Sequence, residues 1–311
     1  MFDPTYKKMK VLDNPIWSVM IPAYNASRYL AETLNSVIMQ NYSEEEMEIV
    51  VVDNCSTDNT IDIVKSVGKG RVQWAQNKSN IGMINNFNQC VKLSKGKYIH
   101  ILNADDLVNE DFYKVMGSKL DSHPDVGLIS CTAEVINESS QVIYRMEPSK
   151  QLLAPTNNIE ELMYDNPLRT PAVVVRRQSY TNLGLFDTNM SFVFDWEMWV
   201  RIIYKCKGLQ INDYLCGYRD HSSSETSRVV NNGEYIKNIN TLMNRFAALG
   251  YPIDKGEISK KMKLMFEGFV NNTPGLNKSV YKALCYDCFG LEYYLKRFYF
   301  SPVLNRVKKI F

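Results

Sequence analysis

Between Trp17 and Val135 five short runs of aliphatic and β-branched residues, at 18–22, 48–53, 71–74, 97–102 and 126–130, alternate with segments of helical period. That alternation marks βαβ units and commits the chain to a mostly parallel sheet with helices on its faces. The runs are nearly continuous in apolar residues, so both sides of each strand must be covered. Between them Leu30, Leu34, Val37 and Ile38 keep helical spacing, as do Ile61, Ile63, Val64 and Val67, then Ile84, Phe87 and Val91. Gly96 is expected to cap the third helix.

Beyond Ile136 the alternation weakens. The pattern predicts a hairpin-like stretch, a helix near 159–164, a short strand at 172–175, a helix over 195–205 and a strand over 209–218. The polar run at 222–227 reads as a joint, with consecutive helices after it. The expected organisation is a tail at 1–15, an α/β domain at 16–224 and a helical region at 225–311. Length agrees, since 311 residues correspond to about two domains.

Charge and cysteine content exclude several classes. Lys and Arg number 36 against 34 for Asp and Glu, so no chain-wide positive field exists to hold nucleic acid. The 7 cysteines, odd in number and irregularly spaced, read as reduced thiols of a cytoplasmic protein. Cys285 and Cys288 are the one close pair; with no second pair and no histidine nearby, they read as thiols on one helix face rather than zinc ligands. Residues 1–14 carry Lys7, Lys8 and Lys10 but no apolar core, so they are not read as a secretory signal. Nowhere do the roughly 18 apolar residues of a spanning helix run together.

Ligands of open parallel sheets bind beyond the carboxyl ends of the strands, so polar residues following the apolar runs are the candidates. They are Pro22, Ala23, Tyr24 and Asn25; the segment from Asp53 to Asp58; Asn103, Ala104, Asp105 and Asp106; and, farther on, Asp195, Trp196 and Glu197. Asn25 and Asp58 have a plain alternative as helix caps. Asp53 ends an apolar strand, where an ionised carboxylate must find donors; the edge of a nucleobase or neighbouring amides would supply them. Tyr24 offers a flat face for such a base. Asp105 and Asp106 are consecutive carboxylates, costly together unless a cation or a donor cluster separates them. Two readings stay open there, oxygen ligands for magnesium or manganese beside a substrate's phosphates, or a capped turn. Arg219 is a candidate partner for phosphate, and His221 is either a metal ligand or a structural histidine. His100, inside an apolar strand, and His123, before a proline, are poor candidates. No glycine-rich dinucleotide loop, P-loop or nucleophile elbow occurs, which argues against the chemistries those motifs carry.

Eight motifs then fall in a familiar order: Ser18-Val-Met-Ile-Pro-Ala-Tyr-Asn25, Val51-Val-Asp-Asn-Cys-Ser-Thr-Asp58, Asn80-Ile-Gly82, Gly96-Lys-Tyr-Ile99, Leu102-Asn-Ala-Asp-Asp106, Gly184-Leu-Phe-Asp187, Asp195-Trp-Glu-Met-Trp199 and Tyr218-Arg-Asp-His221. Over residues 17–224 the chain resembles family 2 glycosyltransferases. The resemblance implies a GT-A fold, that is, a Rossmann-like, mostly parallel sheet flanked by helices, here with a C-terminal helical extension. It further implies a nucleotide-diphosphate sugar donor, a divalent metal ion (Mn2+ or Mg2+) and inversion at the anomeric carbon. By position it implies that Pro22, Ala23, Tyr24 and Asp53 hold the base, with Asp53 accepting from the imide of uracil or thymine. Asn25, Asn80, Asn103, Ala104, Asp105, Asp106 and Arg219 would complete the donor site, with Asp105 the metal ligand of an Asp-x-Asp position. Asp195 would be the catalytic base, Trp196 and Glu197 would meet the acceptor, and His221 would meet the metal or the diphosphate.

The chain departs from that pattern at Asn54, Asn103 and Phe194, where acidic residues are usual, and at Phe87, where many members carry arginine. An amide still bonds a hydroxyl but adds no charge at a metal, so modest metal affinity is expected. The departures keep a second reading open, a catalytically silent nucleotide- or glycan-binding subunit, against which Asp105 and Asp195 count. A nucleotidyltransferase would require a glycine-rich, lysine-bearing first loop, which is absent. At 291–311 Lys296, Arg297, Arg306, Lys308 and Lys309 interleave with aromatic residues against one acid, Glu292. Such a segment fits either packing against the protein or an anionic bilayer surface, where a polyprenyl-linked acceptor at the inner face of the plasma membrane would be met.

Overall fold

The computed structural model describes residues 5–6, 14–231, 234–251, 256, 260 and 283. After the two-residue β1 (Thr5–Tyr6), the first apolar runs form β2 (Trp17–Ala23) and β3 (Met47–Asp53), buried throughout except at Pro22. Between them α1 (Leu30–Ile38) buries Leu30, Thr33, Leu34 and Val37, the stripe that its spacing marks. Next, α2 (Thr60–Gly68) leads to β4 (Gln73–Gln76), and α3 (Met83–Leu93) to β5 (Tyr98–Ile101). Strands β4, β3, β2 and β5 are neighbours in that order and all parallel. The chain thus builds outward from β2 to β4 and returns to the other side of β2 for β5. The order reverses between β2 and β5, where a parallel sheet opens a crevice at its carboxyl edge.

Two local expectations shift. Strand β4 begins after Arg71 and Val72, because Lys69 at φ 43° closes α2 and the N–H groups of Arg71 and Val72 bond back to Gly68 O at 2.8 and 3.4 Å. Gly96 does not cap α3, which ends at Ser94 in extended conformation. A Cβ at Gly96 would lie 2.5 Å from Ser18 N, so glycine is required there by the close approach of two backbones.

The remaining elements are β6 (Leu107–Val108), α4 (Phe112–Ser122), β7 (Leu128–Ile136), β8 (Val142–Arg145), β9 (Val173–Arg176), α5 (Arg177–Leu183), α6 (Phe194–Cys206) and β10 (Gly208–Arg219). They extend the sheet in the order β5-β9-β7-β10-β6, with β8 on β7 as a hairpin. Strand β9 runs antiparallel between β5 and β7, while β7 and β10 pair in parallel. The expected helix near 159–164 is a turn, with Met163 N bonded to Ile159 O and Tyr164 N to Glu161 O.

In the core, His100 of β5 stacks on Phe112 at 4.7 Å. Its Nε2 faces the carbonyl of Pro171 at 3.0 Å, a pure acceptor, so Nε2 donates and Nδ1 accepts from the Tyr113 hydroxyl at 2.9 Å. Burial pushes this imidazole down to about 3.

The described residues form two compact units, one ending at Asn189 and resuming over Phe194–Asp220, the other comprising Met190–Val193 and the chain from His221. The sheet belongs to the first. In the second, α7 (Glu225–Asn231) and α8 (Glu234–Ala248) follow, and Asn238 Oδ1 accepts from Ser191 Oγ and Phe192 N. Among the described residues no helix is long and apolar enough to cross a membrane. Cys285, Cys288 and residues 291–311 lie outside the described residues.

Candidate active site

At the carboxyl end of β3, Asp53 has no exposed surface. Its Oδ2 accepts from Ser56 N at 3.1 Å and from Gln76 Nε2 at 2.9 Å, whereas Oδ1, equally buried, has no partner. Gln76 sits there because Asp53 and Gln76 are cross-strand neighbours at the ends of β3 and β4. Beside them Tyr24 is half exposed after β2. Asn25, at φ 49°, takes Thr57 N on its Oδ1 at 2.9 Å and gives its own N–H to Ser56 Oγ at 2.8 Å. It clasps the loops after β2 and β3, and caps no helix. Asp58 accepts from Thr60 N and Ser27 N, and although burial opposes its charge, those bonds hold its carboxyl below the ordinary value.

Asn54, an amide where the family pattern has a carboxylate, is nearly fully buried and uses both ends of its side chain. Its Nδ2 donates to Asn80 Oδ1 at 2.8 Å, and its Oδ1 accepts from Asn77 Nδ2 at 3.1 Å and Ile81 N at 3.0 Å. Asn77 also donates to Asn86 Oδ1, and Asn86 to the carbonyl of Val52, so one amide network ties the loop before α3 to β3. An aspartate cannot donate, which is the physical reason for the departure. Asn80, expected at the donor, spends its Oδ1 on Asn54 and on Gly82 N.

The pair after β5 divides. Asp106 is 1% exposed, its Oδ1 taking Arg219 N at 2.8 Å and its Oδ2 taking Asn103 Nδ2 at 2.8 Å. Burial and the neighbouring Asp105 push its carboxyl well up. Asp106, expected at the donor, is thus bonded on both oxygens inside the protein, and Asn103 turns its amide nitrogen to it. Ala104 is buried, its carbonyl accepting from Thr33 Oγ1 at 3.0 Å. Asp105 is partly exposed, and its side chain is the carboxylate of this turn not sealed in the protein. Arg219, expected at the donor's phosphates, has most of its fork engaged inside the protein. Nε donates to Asp105 O at 2.7 Å, Nη1 to Asn137 O and Ser140 Oγ at 3.0 Å each, and Nη2 to Glu32 at 3.0 Å, with Tyr29 stacked at 4.5 Å. Four of its five side-chain N–H groups thus bond within the protein, and the side chain is fully buried.

Asp195 opens α6. Its Oδ1 accepts from Trp196 N at 2.7 Å and its Oδ2 from Thr170 Oγ1 at 3.1 Å. Burial raises its carboxyl above the ordinary value, against those two bonds and the field of Arg169. The two residues expected at the acceptor are both buried. Trp196 is 2% exposed with Nε1 bonded to Leu162 O at 2.6 Å, and Glu197 is 1% exposed in a two-point pair with Arg201. The 3.6-residue period turns both into the core. Phe194 packs on Phe87 at 5.0 Å and on Phe186 at 5.4 Å, so the two aromatic departures form one cluster. His221 begins the second unit, with Nδ1 2.9 Å from Ser223 Oγ.

A family model described as Glycosyl transferase family 2 matches residues 18–183, more than half of the chain. The chain belongs to that family and is a glycosyltransferase. It is similar to an uncharacterized glycosyltransferase of Haemophilus influenzae, 27% identical over 225 residues that cover 70% of this chain and 69% of that one. It is 31% identical over 153 residues to the poly(ribitol-phosphate) beta-N-acetylglucosaminyltransferase TarS of Staphylococcus aureus, covering 43% of this chain and only 27% of TarS. The structure of TarS 1–349 with UDP-GlcNAc superposes with a TM-score of 0.65 at 17% identity, over 90% of this chain and 80% of that one. The mannosyltransferase PcManGT of Pyrobaculum calidifontis, solved with GDP-Man and Mn2+, gives 0.59 at 15%, over 96% and 80%. The fold is thus GT-A.

For this family 2 glycosyltransferase, a metal is judged on the donor set. Among the described residues no group of three or more His, Cys, Asp or Glu side chains gathers as a metal cage. Asp105 fits the other arrangement, in which one or two carboxylates hold Mg2+ or Mn2+ and the substrate's phosphates supply further oxygens. Sequence reasoning missed Gln76, Thr170 and Arg169. The one available signal was for Gln76, since parallel strands in register bring their last residues side by side.

Proposed function

We propose that this glycosyltransferase moves a sugar from a UDP- or other pyrimidine-nucleotide sugar to a hydroxyl of a glycan or lipid-linked acceptor in surface polysaccharide synthesis, with inversion. The observation that carries the reading is the buried, unpartnered Oδ1 of Asp53. A buried acceptor without a donor costs about 1–3 kcal/mol, a penalty removed when an imide N–H occupies the place. Tyr24 gives the base a face to stack on. Asp105 would hold the divalent cation, whose chemistry is to stabilise negative charge on the diphosphate. Asp195 removes the proton of the acceptor hydroxyl as that oxygen attacks the face opposite the diphosphate, so the new bond is inverted. A carboxyl raised by burial above its ordinary value suits a general base, because basicity rises with pKa. TarS, named for beta-N-acetylglucosaminyl transfer to poly(ribitol-phosphate) and solved with UDP-GlcNAc, supports both the donor class and the acceptor class.

Calorimetric titration of the full chain with UDP, dTDP, CDP and GDP, each with manganese, tests it. The expected order is UDP and dTDP well ahead of CDP and GDP. Preference for GDP, or no nucleotide binding, would overturn it.

A further inference from the structure

Asp195 reaches the mouth of α6 with only its own helix to hold it, apart from one contact. That contact comes from the short turn Thr170–Ala172, which precedes β9. We propose that Thr170 is a positioning residue for glycosyl transfer: its hydroxyl, 3.1 Å from Oδ2 of Asp195, fixes the rotamer of the base and the oxygen that faces the acceptor. The proposal rests on the reading of Asp195 as the base.

Trp196 N occupies Oδ1 at 2.7 Å and thereby restrains that oxygen, but it moves with the same helix turn and cannot set the carboxylate against the sheet. Thr170 can, because Pro171 follows it and fixes the turn, and because the turn leads into β9, bonded on both sides by β5 and β7. The hydroxyl therefore ties the base to a strand paired on both edges. A hydrogen bond donated to the ionised form also favours that form, against the burial that raises this carboxyl. The charged neighbour whose field acts on it most is Arg169, whose Nη1 donates to Asn166 O at 2.8 Å and whose guanidinium lies over Tyr218 at 5.7 Å. Arg169 lowers the carboxyl without a direct bond to it, so the hydroxyl is the group that supplies direction.

Thr170→Val keeps the shape and removes the donor, whereas Thr170→Ser keeps the donor. With manganese and whichever of the UDP- and dTDP-sugars gives the fastest nucleotide release, Thr170→Val should lower kcat about tenfold with KM for the donor within twofold. The acid limb of its pH profile should move to higher pH, and Thr170→Ser should restore both. A 13C-aspartate NMR titration, with the Asp195 signal assigned by its loss in Asp195→Asn, should show the same upward move without turnover. If Thr170→Val fails to fold, Thr170→Ala serves the same comparison. A wild-type acid limb and NMR midpoint in the donor-less variant would overturn the proposal. Near-native turnover by Asp195→Asn, with the NMR shift intact, would instead overturn the assignment of the base on which it rests.

Discussion

Gln76 Nε2 lies 2.9 Å from Oδ2 of Asp53, and with Ser56 N it saturates that oxygen while the buried Oδ1 keeps no partner. Two donors from the protein thus make the two carboxylate oxygens unequal. On the proposed reading, that asymmetry would let Asp53 read one nucleobase edge.

Replacing Asp53 by asparagine should invert that reading. Ser56 N and Gln76 Nε2 will hold the amide oxygen, so the NH2 group takes the place of Oδ1 and offers a donor. Uracil presents N–H at that edge and cytosine an acceptor. Hydrogen bonds to charged groups contribute about 1.5–3 kcal/mol, so UDP affinity should fall about 10- to 100-fold while the CDP-to-UDP ratio rises. Calorimetry measures both, and an unchanged ratio would contradict the account.

Asn54→Asp, which restores the residue usual in the family, should destabilise this chain. A carboxylate would face Asn80 Oδ1 across 2.8 Å with no proton between them, while its other oxygen still accepted from Asn77 Nδ2 and Ile81 N. The expected cost is about 1–3 kcal/mol, read as a lower urea midpoint at an unchanged m value.

Arg219→Met should behave as a stability variant. Its guanidinium bonds to Asp105 O, Asn137 O, Ser140 and Glu32 would all be lost, leaving those carbonyls without this donor. A loss of about 3 kcal/mol is expected, with UDP affinity of the folded protein within threefold of wild type. A large fall in UDP affinity at unchanged stability would return Arg219 to the phosphate.

His100 makes stability sensitive to acid. Its folded value, about 3, lies below the ordinary 6.5, so the unfolded chain takes up the proton first. The neutral-histidine contribution is therefore full above pH 6.5 and declines as pH falls from there toward 3. Between pH 7.5 and 4.5 the loss amounts to about 3 kcal/mol. His100→Gln should lower stability at pH 7.5 but flatten this acid slope, as denaturant unfolding at several pH values will show.

The parallel half of the sheet was legible because β2, β3 and β5 are buried on both faces and read as unbroken apolar runs. Asp53 and Asp195 stood out because each carboxylate follows or opens an apolar element. What burial does to a polar residue was not legible where its partners are remote. Arg219 meets Glu32 across 187 positions and Asp106 across 113, so nothing near Arg219 in the chain announces that its side chain bonds inside the protein. Glu197 was readable, since Arg201 stands four residues later on the same helix face. The antiparallel insertion of β9 depends on pairings on both its edges, and no local pattern encodes them.

Asp195→Asn, assayed for both nucleotide release and UDP binding, tests the central claim most directly. General-base removal should cut turnover by about 10²–10⁴-fold while UDP binds within twofold of wild type. Turnover within a few-fold of wild type, or UDP affinity lost in parallel with it, would contradict the account.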